Sequence, residues 1–216
     1  MYLRGFVFIF LLPFFWVLAG CTEEESKRDC DLVPGADCSG VNFKFHDLRG
    51  LDLKNVNFQN ANLSHAIFWG TDLSGANLSQ ANLDYADFKK ADLRNANLSG
   101  AHMRRASFRH ASLADADLSH VQAIQTDFSV SDLQGAKLSD ADFSGANFRG
   151  ADLSHTDFSN SQLEDAYLQK ANAKNAIFLN ANLSDAKLYG LLLEGATWVK
   201  GGTCLPNSIG ECRLQK

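Results

Sequence analysis

Residues 76–100 read ANLSQ ANLDY ADFKK ADLRN ANLSG, five successive pentapeptides without an exception. Ala opens each unit, Asp or Asn follows, Leu or Phe takes the centre, and two mostly polar residues close it. Counted outward in fives, the register holds from Ala36 to Lys200 with no residue inserted or lost, giving 33 units. Leu fills 18 of the centres and Phe 10; Cys38, Met103, Ala123, Ala173 and Trp198 fill the rest, and Ala opens 22 units. A repeat this strict is read before any single element.

Period five excludes the ordinary elements. On an α-helix five residues advance about 500°, so a Leu at every fifth position drifts and forms no stripe. On one long strand successive Leu would alternate faces, because five is odd. Within a unit, however, the opening Ala and the central Leu are two apart and share a face. A short extended side followed by a corner meets that pattern, so the chain must coil, with small and large apolar groups inward and polar groups outward.

Tandem A(D/N)LXX resembles the pentapeptide-repeat family, over about three quarters of the chain. The resemblance implies an all-β fold: a right-handed quadrilateral β-helix with four units to a 20-residue coil. Period 20 is visible in the sequence, in Phe68, Phe88, Phe108, Phe128 and Phe148 and in Ser79, Ser99, Ser119, Ser139 and Ser159. About eight coils at about 4.8 Å each make a rod near 40 Å long.

Residues 1–20 stand apart from the repeat. A positive start at Arg4, an apolar run from Gly5 to Leu18 and the small residues Ala19 and Gly20 form a secretory leader. The ending Leu18-Ala19-Gly20-Cys21 resembles a bacterial lipobox, which implies cleavage before Cys21 and acylation of that residue. An uncleaved membrane anchor is the alternative; the apolar run is short for a span and contains Pro13. Thr22 rather than Asp follows Cys21, which in Gram-negative lipoproteins implies outer-membrane sorting, on the periplasmic side. A charged tether, TEEESKRD, leads into a cap that ends at residue 35; the repeat occupies 36–200, and 201–216 form a C-terminal cap.

Four further cysteines lie in two pairs, Cys30 with Cys38 and Cys204 with Cys212, each eight residues apart. Four cysteines allow three connectivities. A rod near 40 Å long separates its ends by more than the roughly 7 Å a disulfide spans, so Cys30–Cys38 and Cys204–Cys212 are expected. Zinc is the alternative, but neither pair has CxxC spacing or a nearby His. Bulky opening residues Val41, His46, Leu51, Val56 and Leu191 gather near the ends, where a solenoid needs closing; His46 is expected to point inward.

Folding the sequence at 20 residues sorts exposed positions onto four walls. The wall of units starting at 46, 66, 86 and onward sums to +4, and the next, starting at 51, to −4. Without the leader the net charge is −6 rather than −5, since Arg4 is its only charged residue. On the basic wall Arg49, Lys89, Lys90, Arg109, Arg149 and Lys170 alternate with Trp69, Tyr167 and Tyr189, and Lys187 and Ile67 join them. Cations among aromatics suit an anionic lipid headgroup, a polysaccharide or an acidic protein patch. Isolated exposed aromatics and long basic stems over a Phe column explain the same residues without a partner.

Asp52, Asp72 and Asp92 form a like-charged column on the acidic wall. Turn amides that accept Asp explain it; calcium would want an alternating D-x-D loop and a bidentate Glu, which are missing. His65, His110, His120 and His155 fall on four different corners, so no metal site is expected. Asp117, Ser119 and His120 resemble a triad only by type, with no oxyanion hole beside them. Ala123 and Ala173 remove core volume, and a kink is expected near Ala123.

No enzyme, cofactor or nucleic-acid partner is therefore expected. The reading is a non-enzymatic, lipid-anchored protein of the bacterial cell envelope, held in membrane lipid through Cys21, whose rod meets an envelope protein or anionic polymer. The resemblance implies one alternative, a DNA-mimicking inhibitor of gyrase like some cytosolic pentapeptide proteins. Export and the basic wall depart from that pattern. Some members of that family pair end to end, whereas disulfide-closed caps favour a monomer.

Overall fold

The computed structural model describes residues 30–214. The leader, the lipidation site Cys21 and the tether from Thr22 to Asp29 lie outside the described residues. From Asp37↔Asn57 to Ile177↔Thr197, every parallel bridge joins the second positions of units 20 residues apart. Four units thus close each coil, and the chain winds as the quadrilateral β-helix expected, with no helix among the described residues. The four walls are called first, second, basic and acidic, for units starting at 36, 41, 46 and 51.

The unit 76–80 shows why the repeat has this composition. The Leu78 amide donates to the Asn97 carbonyl of the following coil (2.6 Å), and Asn77 donates back to Val56 (2.9 Å). The Gln80 amide donates forward to Ser99 (3.0 Å), and the next Ala81 turns back to the Leu78 carbonyl (3.1 Å). That leaves the fourth amide, and the Asn77 side chain accepts it: Ser79 N to Asn77 Oδ1 is 3.2 Å. Only a short side chain ending in an oxygen reaches this point, which is why Asp or Asn recurs at the second position. All five amides of a unit find partners, as a dry-cored backbone requires.

The fifth position bends the corner with φ near +60°, as in Asn95 at 58° and Asn160 at 60°. Gly, Asn and Asp dominate it because an L side chain there crowds its own carbonyl. Inside, first and third positions bury almost completely. Phe68, Phe88, Phe108, Phe128 and Phe148 stack in one column beneath the basic wall, with ring centres 4.6 to 5.1 Å apart. Phe143 meets Phe128 and Phe148 edge-on across the core.

Two expectations fail. No kink occurs at Ala123: its amide reaches Asp142 at 2.7 Å, and the bridges His102↔Gln122 and Gln122↔Asp142 keep their register. The backbone ladder is self-contained, so a lost side chain thins the core without bending the coil, and buried Val121 restores volume beside it. His46 does not point inward. It is exposed, its Nδ1 3.1 Å from the Lys44 carbonyl and its ring against Phe43, because no coil precedes it to cover it.

The ends close as the cysteine spacing suggests. Cys30 bonds Cys38, and Cys204 bonds Cys212. At the far end Gly201 and Gly202 reverse the chain with φ of 74° and 103°. The returning segment adds antiparallel bridges, Thr197↔Thr203 and Leu192↔Ile209, to the last coil. It thereby covers the edge along the acidic and first walls.

Candidate interaction surface

The fourth positions of the basic wall place Arg49, Trp69, Lys89, Arg109, Arg149 and Tyr189 in one column along the rod. Tyr167 sits at a second position beside it, and Lys90 and Lys170 occupy corners with φ of 58°. Trp69 is 46% exposed and Tyr189 79%. Lys90 folds back over Trp69, Nζ 5.2 Å from the ring centre, and the Arg149 guanidinium lies 4.1 Å over Tyr167. These rings are already dressed with cations, the arrangement an anionic or π-rich partner would meet.

Not every cation is available. Arg49 grips Asp47 with Nη2 to Oδ2 at 2.6 Å, and Lys89 reaches Asp87 at 3.0 Å. The Arg49 hydrogen bond holds the Asp47 carboxyl below its usual range, and Asp47 in turn raises Arg49. Arg109, Arg149 and Lys170 make no ion pair among the described residues. The unpaired positive charge of the wall therefore begins at Lys90 and continues through Arg109, Arg149 and Lys170.

Local rules are broken most often on this wall. Ile67, Ser107, Tyr167 and Lys187 replace Asp or Asn at four of its eight second positions, against three of nine on the first wall, three of eight on the second and two of eight on the acidic wall. Each replacement removes the side-chain acceptor for the amide that follows, at Trp69, Arg109, Gln169 and Tyr189. Two buried side-chain oxygens lack a partner among the described residues, Ser107 Oγ and Gln169 Oε1, and both lie here.

The acidic wall keeps the rule best. Asp52, Asp72 and Asp92 each accept the amide two residues on, at 3.4, 3.1 and 3.1 Å. Lys54 spans Asp52 and Asp72, and Arg94 grips Asp92, so the acidic column is a turn device with its own counterions. The Arg94 hydrogen bond is the main reason the Asp92 carboxyl titrates low. Burial works against ionisation of Asp72, but the Ser74 hydroxyl and amide together with Lys54 outweigh it. Ser119 donates to Asp117 at 2.6 Å, as Ser74 does to Asp72 and Ser144 to Asp142, so this pair is the same turn repeated. Among the described residues no cluster of three His, Cys, Asp or Glu is placed to hold a metal.

A family model described as a pentapeptide repeat region matches residues 41–118 and again 101–178, and a second described as pentapeptide repeats (8 copies) matches 161–197. The chain belongs to the pentapeptide-repeat family. Among solved structures this family member is similar to HetL, a protein involved in heterocyst differentiation regulation from the cyanobacterium Nostoc sp. The identity is 26%, covering 77% of this chain and 86% of HetL, with a TM-score of 0.34. QnrB1, a plasmid-mediated fluoroquinolone resistance protein, is 22% identical over 78% of this chain and 91% of its own, with a TM-score of 0.47. A pentapeptide repeat protein from the Arabidopsis thaliana thylakoid lumen is 30% identical over 59% of this chain and 68% of its own, at 0.32. Comparison with curated proteins finds no significant match.

One feature of the repeat escapes a reading by walls. Phe45, His65 and Tyr85 share the corner between the second and basic walls, stacked with ring centres 4.7 and 4.8 Å apart. The column mixes Phe, His and Tyr at period 20, so no single residue type marks it in the sequence.

Proposed function

We propose that this pentapeptide-repeat protein is a non-enzymatic module of the bacterial cell envelope, anchored through acylated Cys21 and presenting its basic wall to a protein or anionic polymer. One observation carries the wall: Arg109, Arg149 and Lys170 make no ion pair among the described residues, and they lie beside exposed rings, with the Arg149 guanidinium 4.1 Å over Tyr167 and Tyr189 79% exposed. The packed, ring-stacked interior supports an interaction role over catalysis, because solenoids of this kind offer flanks rather than clefts. The leader and the Leu18–Cys21 sequence support the envelope location.

Globomycin-sensitive processing, with the chain in the membrane fraction, tests the anchor. A soluble cytosolic product that slows gyrase supercoiling would favour the DNA-mimic reading in its place. For the wall, photocrosslinkers at Trp69 and Arg109 in intact cells identify what is captured. Reversing Arg49, Lys89, Arg109 and Arg149 together to Glu should abolish capture of that partner, and unchanged capture would refute the assignment.

A further inference from the structure

Exposed aromatic rings gather at the end of the rod where the tether enters. Within the first three coils Phe45 is 66% exposed, Tyr85 48% and Trp69 46%, and Ile67 lines the same hollow as Trp69 and Arg49. Phe45, His65 and Tyr85 present one continuous rim along the corner, which turns onto the basic wall at Ile67 and Trp69. Lys44 lies over the Phe45 ring at 4.9 Å and Lys90 over Trp69 at 5.2 Å. Neither lysine is drawn off by an ion pair among the described residues, whereas Asp47 and Asp87 are neutralised by Arg49 and Lys89. The Asp84 carboxylate is held by the Arg104 amide at 2.8 Å. The patch is thus amphipathic and net cationic. Other exposed apolar side chains of the solenoid, such as Val130, Ile177 and Tyr189, lie well along the rod from it.

We infer that this patch seats in the headgroup region of the phospholipid bilayer that holds Cys21, so that the rod leans on its membrane instead of swinging from it. The inference rests on the lipid-anchor reading. Trp and Tyr favour that depth because one part of each ring system is apolar and another forms hydrogen bonds, and lysines beside them meet anionic headgroups. Eight residues separate Cys21 from Cys30, and at full extension they span at most about 30 Å. The first coils therefore cannot leave the neighbourhood of the surface, and every exposed ring near the tether is within its reach. The wall then divides in two: Trp69 and its surroundings face lipid, and the stretch from Arg109 to Tyr189 remains for the soluble partner.

The test uses the mature acylated chain in vesicles of phosphatidylethanolamine and phosphatidylglycerol, with or without bromine on the acyl chains near the interface. Trp16 leaves with the leader, so Trp198→Phe isolates Trp69, and Trp69→Phe isolates Trp198 at the far end. Emission from Trp69 should fall about twofold in brominated vesicles, as for a ring at belt depth, while Trp198 is unaffected. Lys44→Glu with Lys90→Glu should relieve that quenching. Unquenched Trp69 in a chain that floats with the vesicles overturns the inference and leaves the anchor standing, and a Trp69 crosslinker that captures protein then identifies the other occupant. A mature chain without acyl mass on Cys21, which fails to float, overturns the anchor reading and this inference with it.

Discussion

Val130 is the one β-branched residue among the described non-glycine positions with positive φ, at 57°. The left-handed region costs an ordinary L residue about 1–2 kcal/mol, and branching at Cβ adds to the crowding. Val130 is 49% exposed, so its packing returns only a fraction of full burial, about 0.5–1 kcal/mol. Its amide bond to the Arg149 carbonyl, 2.9 Å, survives any substitution that keeps the turn. Val130→Asn should therefore stabilise the protein by about 0.5–1 kcal/mol, because Asn tolerates this conformation. For a chain of this size that raises Tm by about 1–4 °C. Val130→Gly relieves the same strain but loosens the unfolded chain, and should come out near neutral. The reciprocal Asn95→Val, at φ 58° on the acidic side, should lose about 1–2 kcal/mol. Urea unfolding gives the ranking, with amide exchange at residue 130 as a local readout, since solenoids need not unfold as one unit. An Asn variant less stable than the parent, or a neutral Asn95→Val, would refute the claim that corner geometry selects the fifth residue.

Phe108 stands between Phe88 at 4.7 Å and Phe128 at 5.1 Å and is fully buried. Phe108→Ala should cost about 3–5 kcal/mol in urea unfolding, and Phe108→Leu, which refills much of the space but loses the ring contacts on both sides, about 1–3; a Leu variant as stable as the parent would deny the stack its role. Reducing the eight-residue Cys204–Cys212 interval should weaken the cap by about 2–3 kcal/mol. Protease cutting near Gly201 should rise while the central coils stay protected, and uniform loosening would contradict nearest-neighbour stability. Acid acts through carboxyls whose folded pKa is depressed, namely Asp47, Asp72 and Asp92. Their contribution is present above the unfolded value of about 4 and is lost as pH falls through the lower folded values. Urea midpoints should therefore fall below about pH 4, less steeply in Arg94→Met, and a flat profile there would refute it.

Much of the fold was legible because the repeat is redundant: any single unit with a weak centre, such as Ala123, is outvoted by its neighbours. That redundancy also misled. A small centre suggests a kink when read alone, yet the ladder at Gln122 and Ala123 is carried by main-chain groups indifferent to side-chain volume. His46 was misplaced because the repeat rule assumes a coil above, and the first coil has none. Charge on the walls could be counted from the sequence, but pairing could not: nothing in the string says that Arg49 turns onto Asp47 while Arg109 does not. The ring column at Phe45, His65 and Tyr85 was present at period 20 and becomes visible only when unlike residues are allowed to stack.

The turn rule links stability to recognition and can be tested from both sides. Among the described residues Ser107 carries a buried hydroxyl without a partner, and it leaves the Arg109 amide without a side-chain acceptor. Asn in its place would accept that amide and donate to Asp87 of the preceding coil, as Asn147 donates to Asp127 at 3.0 Å. One added hydrogen bond and one relieved hydroxyl together suggest a gain of about 1–2 kcal/mol for Ser107→Asn. No wall contact is removed, so partner capture through Arg109 should persist. Tyr167→Asn restores the same turn for Gln169 but deletes the ring beneath Arg149. Its stability should hold while capture falls, the usual conflict between a stable surface and a working one. If Tyr167→Asn leaves capture intact, the broken positions are drift tolerated by a redundant ladder. The basic wall would then have no claim to function beyond its charge.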